Sequence, residues 1–388
     1  MGASSAFQSQ VTFLFLKEKK RNALDASHRN SLEARPVSEP TARVLSSSLP
    51  AFDRADHREI TEASADPGLP LRSAPRDRSL SERDPFFALS ARSPLWAAAG
   101  PWSSGEQSAD ALSTAGAVVA KTVTAEPRAG NPPPVLHKYA GGSGGYLNRI
   151  GLRNVGAAEF ARARLPIVRA CNAPTIQSFT AQTEAEVEAI LQVFTPEAIV
   201  GYELNASCPN APSGQLDDAV LRAVLRCARR LSPRPIWVKL AYAPAELLRS
   251  RARICADEGA DGITAINTLP ALAVTLPSID SAQRKPDDRF LFRGGVSGPT
   301  LTPLAQWAVD FLVREQPLPV IACGGVGSLH EVLAFAALGA SAVQVGSALL
   351  DDATVLRRLQ RELAHAAQRA QITSWNELVE VLCPHKRS

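Results

Sequence analysis

Eight short apolar runs, most of them separated by amphipathic helical segments, constrain the fold of this chain more than any other feature. They are Pro94–Gly100 (PLWAAAG), Gly116–Lys121 (GAVVAK), Thr175–Thr180 (TIQSFT), Val200–Ser207 (VGYELNAS), Ile236–Ala241 (IWVKLA), Asp261–Asn267 (DGITAIN), Pro319–Gly325 (PVIACGG) and Ala342–Leu349 (AVQVGSAL). Near-continuous hydrophobicity, rather than strict alternation, is the pattern of strands buried on both faces of a parallel sheet. Eight strand–helix units within about 290 residues predict an α/β fold of the TIM (β/α)8 barrel type, ahead of a doubly wound open sheet. Helix starts are written between the runs. Thr183–Glu186 and Ser328–Glu331 have the hydroxyl and carboxylate of a capping box, and 217–231 opens on acids and closes on arginines, as the helix dipole favours. Two longer connections, about 123–174 and 269–318, each follow a strand and are expected over the face where a barrel keeps its chemistry.

The rest of the chain bounds the function. Residues 1–85 mix Ser, Arg, Pro, Asp and Glu without a sustained hydrophobic period, and are expected to be a disordered, low-complexity extension ahead of a barrel domain at 86–388. A formal net charge of +4 is slight for 388 residues and argues for neither nucleic-acid nor membrane binding. No apolar run approaches the ~18 residues of a membrane span, and the run Val11–Leu16 precedes its basic cluster, the reverse of a secretory signal. Six cysteines at 171, 208, 227, 255, 323 and 383 contain no C-x-x-C pair. Neither a metal site nor a disulfide framework is expected, and reduced thiols in the cytoplasm fit best.

The chemistry is expected where the strands end. Cys323-Gly324-Gly325 and Gly346-Ser347 close the seventh and eighth runs, where such barrels often bind a phosphate on exposed backbone N–H groups. Lys121 and Lys239 each end an apolar strand, where an unpaired ammonium is costly to bury. Such a cation could reach solvent at the barrel mouth, balance charge developing on a flavin, or clamp a substrate carboxylate. Asn148, Asn205, Asn210 and Asn267 offer amides that donate and accept together, as a planar ring with alternating C=O and N–H edges requires. Cys208, set before Pro209 in a loop, is the candidate general base; the other five cysteines are read as small apolar residues.

With these residues in order, the chain from about 90 to 365 resembles dihydroorotate dehydrogenase, and specifically its soluble, fumarate-linked class 1A group. Lys121-Thr122 looks like the family's Lys-Ser. Asn148–Asn154 (NRIGLRN) is similar to its N-S-M-G-L-P-N loop, and Leu204–Asn210 (LNASCPN) to its N-L-S-C-P-N segment. Val238-Lys239-Leu240, Ile266-Asn267-Thr268, Gly294–Gly298 (GGVSG), Cys323-Gly324-Gly325 and Gly346-Ser347-Ala348 follow in the family's order. The resemblance implies FMN-dependent oxidation of dihydroorotate to orotate in pyrimidine (UMP) synthesis, with fumarate as acceptor in the same site and a homodimer as the assembly. Cys208 would take the C5 proton, with Lys239 beside the flavin. Lys121, Asn148, Ile150, Gly151, Leu152, Asn205, Asn210, Asn267 and Thr268 would hold the substrate. Ala99, Gly100, Lys121, Thr122, Asn205, Lys239, Ile266, Gly298, Cys323, Gly324, Gly325, Gly346 and Ser347 would hold FMN.

The chain departs from the pattern at Ile150 (methionine), Thr268 (serine) and Ala99 (serine), and reads Ala211-Pro212-Ser213-Gly214-Gln215 where class 1A has V-P-G-K-P-Q. The NAD-linked class 1B form, which also uses cysteine, is the nearest alternative; it needs an iron–sulfur and FAD partner subunit, and this chain has no cluster motif of its own. An FMN-dependent tRNA-dihydrouridine synthase is a more distant one, because only about 40 residues follow Leu349 and the basic surface that phosphate contacts need is lacking.

Overall fold

Strand pairing closes eight parallel strands on themselves. In the computed structural model, residues 92–101, 109–139, 144–195, 197–207, 216–275 and 290–383 are described. The strands are β1 (Leu95–Ala97), β2 (Val118–Val123), β3 (Leu136–Tyr139), β4 (Gly145–Asn148), β5 (Thr175–Phe179), β6 (Gly201–Asn205), β7 (Ile236–Leu240), β8 (Gly262–Ala265), β9 (Leu269–Thr275), β10 (Phe290–Ser297), β11 (Val320–Cys323) and β12 (Ala342–Val345). The barrel runs β1-β12-β11-β8-β7-β6-β5-β2 and closes where Ala97 pairs with Val118. It is a TIM barrel, and its eight strands are the eight apolar runs. The boundary drawn at 85/86 and the whole of 1–85 lie outside the described residues.

The helices between the barrel strands start as their sequences dictate. In α1 (Glu184–Leu191) the Thr183 hydroxyl accepts from the Glu186 N–H, while Glu186 reaches back to the N–H of Gln182, one residue beyond the position a capping box uses. Helix α2 (Asp218–Leu231) is capped by Asp217. A complete capping box opens α5 (Leu329–Ala337), with Glu331 accepting from the Ser328 N–H at 2.7 Å; α3 (Ala245–Asp257) and α4 (Thr302–Glu315) precede it.

The barrel interior is stacked in layers, because side chains alternate along each strand and neighbouring strands are staggered. Low in the barrel, Trp96 and Trp237 meet edge to face at 5.7 Å and pack in one cluster with Ile176 and Ile321. These four come from alternate strands, β1, β5, β7 and β11. Glycine makes room for them: a Cβ on Gly201 would stand 2.6 Å from the Trp237 ring, and one on Gly262 2.8 Å from it. The next layer is polar. Thr264 and Gln344, from β8 and β12, both donate to Glu203 of β6, and all three are almost fully buried. Above it lie Lys239 and Cys323, in contact with each other.

The two long connections hold strands of their own. One antiparallel sheet, β3-β4-β10-β9, takes its first pair from the connection after β2 and its second from the connection after β8. Its inner face packs Leu147, Ala273 and Phe292. Among the described residues no helix is long and apolar enough to cross a membrane, and the five described cysteines are free thiols.

Candidate active site

The C-terminal ends of the barrel strands converge on a polar mouth. At β6 the carboxamide oxygen of Asn205 accepts from Asn267 Nδ2 at 3.2 Å and from the Ser207 N–H at 3.3 Å. Asn267 Nδ2 also donates to the Ser207 carbonyl, and Asn267 Oδ1 accepts from the Thr268 N–H at 2.8 Å. Two asparagines from different strands are thus locked to each other, with Asn205 buried and Asn267 half-buried. Ile266 is buried beneath them.

A register irregularity in β2, between Ala120 and Val123 opposite β5, lies next to Lys121 and Thr122. Gln177 donates to the Lys121 carbonyl at 2.9 Å, and the Thr122 and Ser178 hydroxyls lie 2.8 Å apart. Such bulges re-aim side chains at barrel rims. Lys121 is half-buried and Thr122 buried.

Lys239 is only 5% exposed. Burial works against its charge, but Cys323 and Glu203 outweigh that and hold the ammonium's pKa above the ordinary lysine value. The Cys323 thiol is itself pushed up, chiefly by burial, although Lys239 pulls it down.

Beside this pair, just after Cys323, the backbone is left bare. Gly324 and Gly325 follow β11 with φ of +135° and +75°, and Gly346 follows β12. Among the described residues the N–H groups of these three glycines make no hydrogen bond. The turn has no room for a side chain: a Cβ on Gly325 would lie 1.9 Å from Thr302 Oγ1. Ser347 begins the short helix Ala348–Asp351 as its cap. Gly298, with φ of +98°, and half-exposed Ala99 with exposed Gly100 complete this side.

Asn148 sits at the end of β4, and its amide donates to the Gly295 carbonyl at 3.2 Å. The following loop is pinned on both sides. Ile150 O accepts from the Asn131 N–H at 3.1 Å, and Leu152 O from Asn154 Nδ2 at 2.7 Å. Gly151 and Leu152 both have positive φ, 71° and 57°. Neither of their N–H groups is bonded among the described residues, so both can serve an anion.

The structure therefore gathers the asparagines 205 and 267, Thr268, Lys239, Cys323 and the bare glycine turns around one mouth, with the Asn148–Leu152 loop carried on the antiparallel sheet. Cys208, Asn210 and the loop 211–215 lie outside the described residues. The polar layer of Glu203, Thr264 and Gln344 was not singled out by sequence. The signal was there: Glu203 and Gln344 each interrupt an otherwise apolar run (VGYELNAS, AVQVGSAL), and a charge inside a buried strand needs a partner.

Comparison with known proteins bears on this site. The family model for dihydroorotate dehydrogenase matches residues 84–366. The catalytic subunit of dihydroorotate dehydrogenase B (NAD(+)) of Citrifermentans bemidjiense is 33% identical over 298 residues, 75% of this chain and 94% of that protein. The corresponding subunit of Pelobacter propionicus is 36% identical over 267 residues, 67% and 84% of the two chains. A putative dihydroorotate dehydrogenase A (fumarate) of Solibacter usitatus is 32% identical over 302 residues, 76% and 96%. Among solved structures, a dihydroorotate dehydrogenase of Eimeria tenella in complex with ferulenol aligns with a TM-score of 0.59 at 21% identity, covering 76% of this chain and 86% of that one, a likeness of fold.

Proposed function

The chain belongs to the dihydroorotate dehydrogenase family, and on that premise we propose that it oxidises dihydroorotate to orotate on a bound FMN, in UMP synthesis. The site fits such a flavin. It offers unpaired N–H groups at Gly324, Gly325 and Gly346, a turn with no space for a Cβ, and a buried cation at Lys239. FMN, when bound, supplies the two-electron acceptor for the hydride. The chain's own residues do the rest.

Gly298, Gly324, Gly325, Gly346 and Ser347 hold the phosphate end on backbone donors. Ala99, Gly100, Thr122, Ile266 and Cys323 line the remainder, and Lys239 supplies positive charge to the ring. Asn148, Asn205, Asn210, Asn267 and Thr268 orient the substrate ring, while Lys121 and the backbone at Ile150, Gly151 and Leu152 take its carboxylate. Cys208 removes the proton from C5.

For the acceptor, the reading best supported is NAD+, reached through a partner subunit carrying an iron–sulfur cluster and a second flavin. The relatives from Citrifermentans and Pelobacter, named as catalytic subunits of the NAD(+) form, carry this reading. The 211–215 loop lacks the lysine of the class 1A pattern, which weakens the fumarate reading. Fumarate is the second reading, favoured by the Solibacter relative at nearly the same identity. A homodimer goes with the fumarate reading, and a cytoplasmic location with either.

The test is anaerobic mixing of the flavin-loaded protein with dihydroorotate, then with fumarate, and separately with NAD+ plus the partner. Bleaching by dihydroorotate, with recolouring only by NAD+ and partner, is expected. Rapid recolouring by fumarate alone overturns the NAD reading. A flavin-loaded protein that does not bleach overturns the dehydrogenase reading.

A further inference from the structure

Inside the barrel, below the mouth, a carboxylate stands where the mechanism gives it no part. Glu203 is 1% exposed. Its Oε2 accepts from Gln344 Nε2 at 2.8 Å and from Thr264 Oγ1 at 3.1 Å, while its Oε1 is buried without a hydrogen-bond partner among the described residues. Thr264 is the register neighbour of Lys239 across β7 and β8, so the hydroxyl that anchors the carboxylate sits beside the lysine.

A buried ammonium needs a counter-charge. Two groups act on Lys239, Cys323 on β11 and Glu203 on β6. Burial pushes the Cys323 thiol up, so the charge by which it supports Lys239 develops only at alkaline pH. Among the described residues the other group acting on Lys239 is the Glu203 carboxylate. Glu203 and Lys239 stand further apart than the 4.0 Å of a direct ion pair, so the compensation acts through the low-dielectric barrel interior and not by contact.

We infer that Glu203 is a positioning residue: fixed by Thr264 and Gln344, it keeps the Lys239 side chain positively charged inside the barrel, below the site proposed for the flavin. The consequence for catalysis rests on the flavin reading, but the charge relation itself does not. A lysine that lost its proton in that interior could no longer balance negative charge accumulating on a reduced ring, and the reaction would acquire a pH dependence through Lys239.

The experiment follows Lys239 directly in the full chain labelled with ε-13C lysine. The chain has eight lysines, so the Lys239 signal is assigned by its loss in Lys239→Met. In the parent protein the signal should keep the shift of a charged lysine up to pH 10. In Glu203→Gln, which keeps an oxygen to accept from Thr264 and Gln344, it should titrate at least one pH unit lower. An unchanged titration in a folded Glu203→Gln, or a Lys239 already neutral at pH 7 in the parent, overturns the inference. If Glu203→Gln does not fold, Thr264→Val removes one anchor alone: the same shift in smaller measure is expected, Thr264→Ser should restore the parent curve, and no shift with Thr264→Val counts against the proposal.

With FMN bound, the flavin potential should fall in Glu203→Gln, and Glu203→Gln should have no further effect once Lys239→Met is present. A protein that takes up no FMN would refute the flavin reading while leaving the lysine titration, measured without it, to stand or fall alone.

Discussion

Replacing Gly325 by alanine tests the proposed phosphate turn at its tightest point. Gly325 has φ of +75°, a conformation an L-residue adopts at a cost of about 1–2 kcal/mol. The new Cβ would lie 1.9 Å from Thr302 Oγ1 and 3.0 Å from the Gly298 carbonyl oxygen, so Thr302 has to rotate away. That rotation breaks the hydrogen bond its hydroxyl now donates to the Gly325 carbonyl at 3.3 Å, a loss of about 0.5–1.5 kcal/mol. The sum is roughly 1.5–3.5 kcal/mol, which for a barrel of this size lowers Tm by roughly 2–6 °C. Any part of the strain relieved by moving the turn also displaces its bare N–H groups, so FMN affinity should fall by about tenfold per 1.4 kcal/mol so expressed. Thermal unfolding without flavin and fluorescence titration with FMN separate the two. Gly325→Ala/Thr302→Ala removes the 1.9 Å conflict but not the φ strain, and should recover part of both losses. Parent-like stability and parent-like FMN affinity in Gly325→Ala together would refute the reasoning.

Three further outcomes follow from the same geometry. Gly201→Ala should destabilise the barrel by roughly 1–3 kcal/mol through overpacking, because its Cβ would meet Trp237 at 2.6 Å and the Pro235 carbonyl at 2.8 Å; trimming the ring in Gly201→Ala/Trp237→Phe should restore part of the loss in denaturant unfolding. Cys255 is fully buried and its thiol is pushed up to about 12 by that burial, so alkylation at pH 8 followed by mass spectrometry should find it unmodified in the folded protein and modified in denaturant. Asp351 accepts from Lys138 and from the Tyr146 hydroxyl, and both hold its carboxyl below the usual value. A depressed carboxylate contributes stability above its unfolded pKa, about 4, and loses it as pH falls through the lower folded value. Asp351→Asn should therefore flatten the acid limb below pH ~4 in urea unfolding. The effect is small because the pair is half exposed, and an unchanged acid limb would deny the coupling.

The barrel was legible in the sequence because its strands are buried on both faces, so run length and apolarity suffice to find them. The antiparallel sheet was not. In β9 the alternation of Leu272 and Val274 with Ala271 and Ala273 sets exposed large residues against inward alanines, so hydrophobicity reads as continuous and side-chain size carries the period. In β10, Gly294 and Gly295 look like a turn, whereas a Cβ on Gly294 would meet the Asn148 carbonyl oxygen at 2.5 Å. Gly294 serves close strand approach, a reason invisible without the partner strand. At the mouth, Lys239 and Asn267 were found because polar groups at the ends of apolar strands stand out. Glu203 escaped because its partners, Thr264 and Gln344, come from strands far along the chain.

The antiparallel sheet is also what makes the two ends of the proposed site a single mechanical unit. Strand β4 carries Asn148 and leads into the loop at Ile150–Leu152, and β10 leads into Gly298 and the Pro299–Leu301 turn. The two strands pair from Asn148 opposite Gly295 to Tyr146 opposite Ser297. They cross so closely that a Cβ on Gly298 would stand 2.8 Å from the Gly145 backbone, and one on Gly145 2.3 Å from the Ser297 carbonyl oxygen. Beyond Gly298, Leu301 and Thr302 pack directly behind Gly324 and Gly325. A displacement of the substrate loop is therefore transmitted through backbone contacts, which cannot yield as flexible side chains do, to the turn proposed for the phosphate. On this reasoning the sheet registers one ligand against the other, and a bulky residue at Gly145 should disturb substrate and flavin binding together although it touches neither.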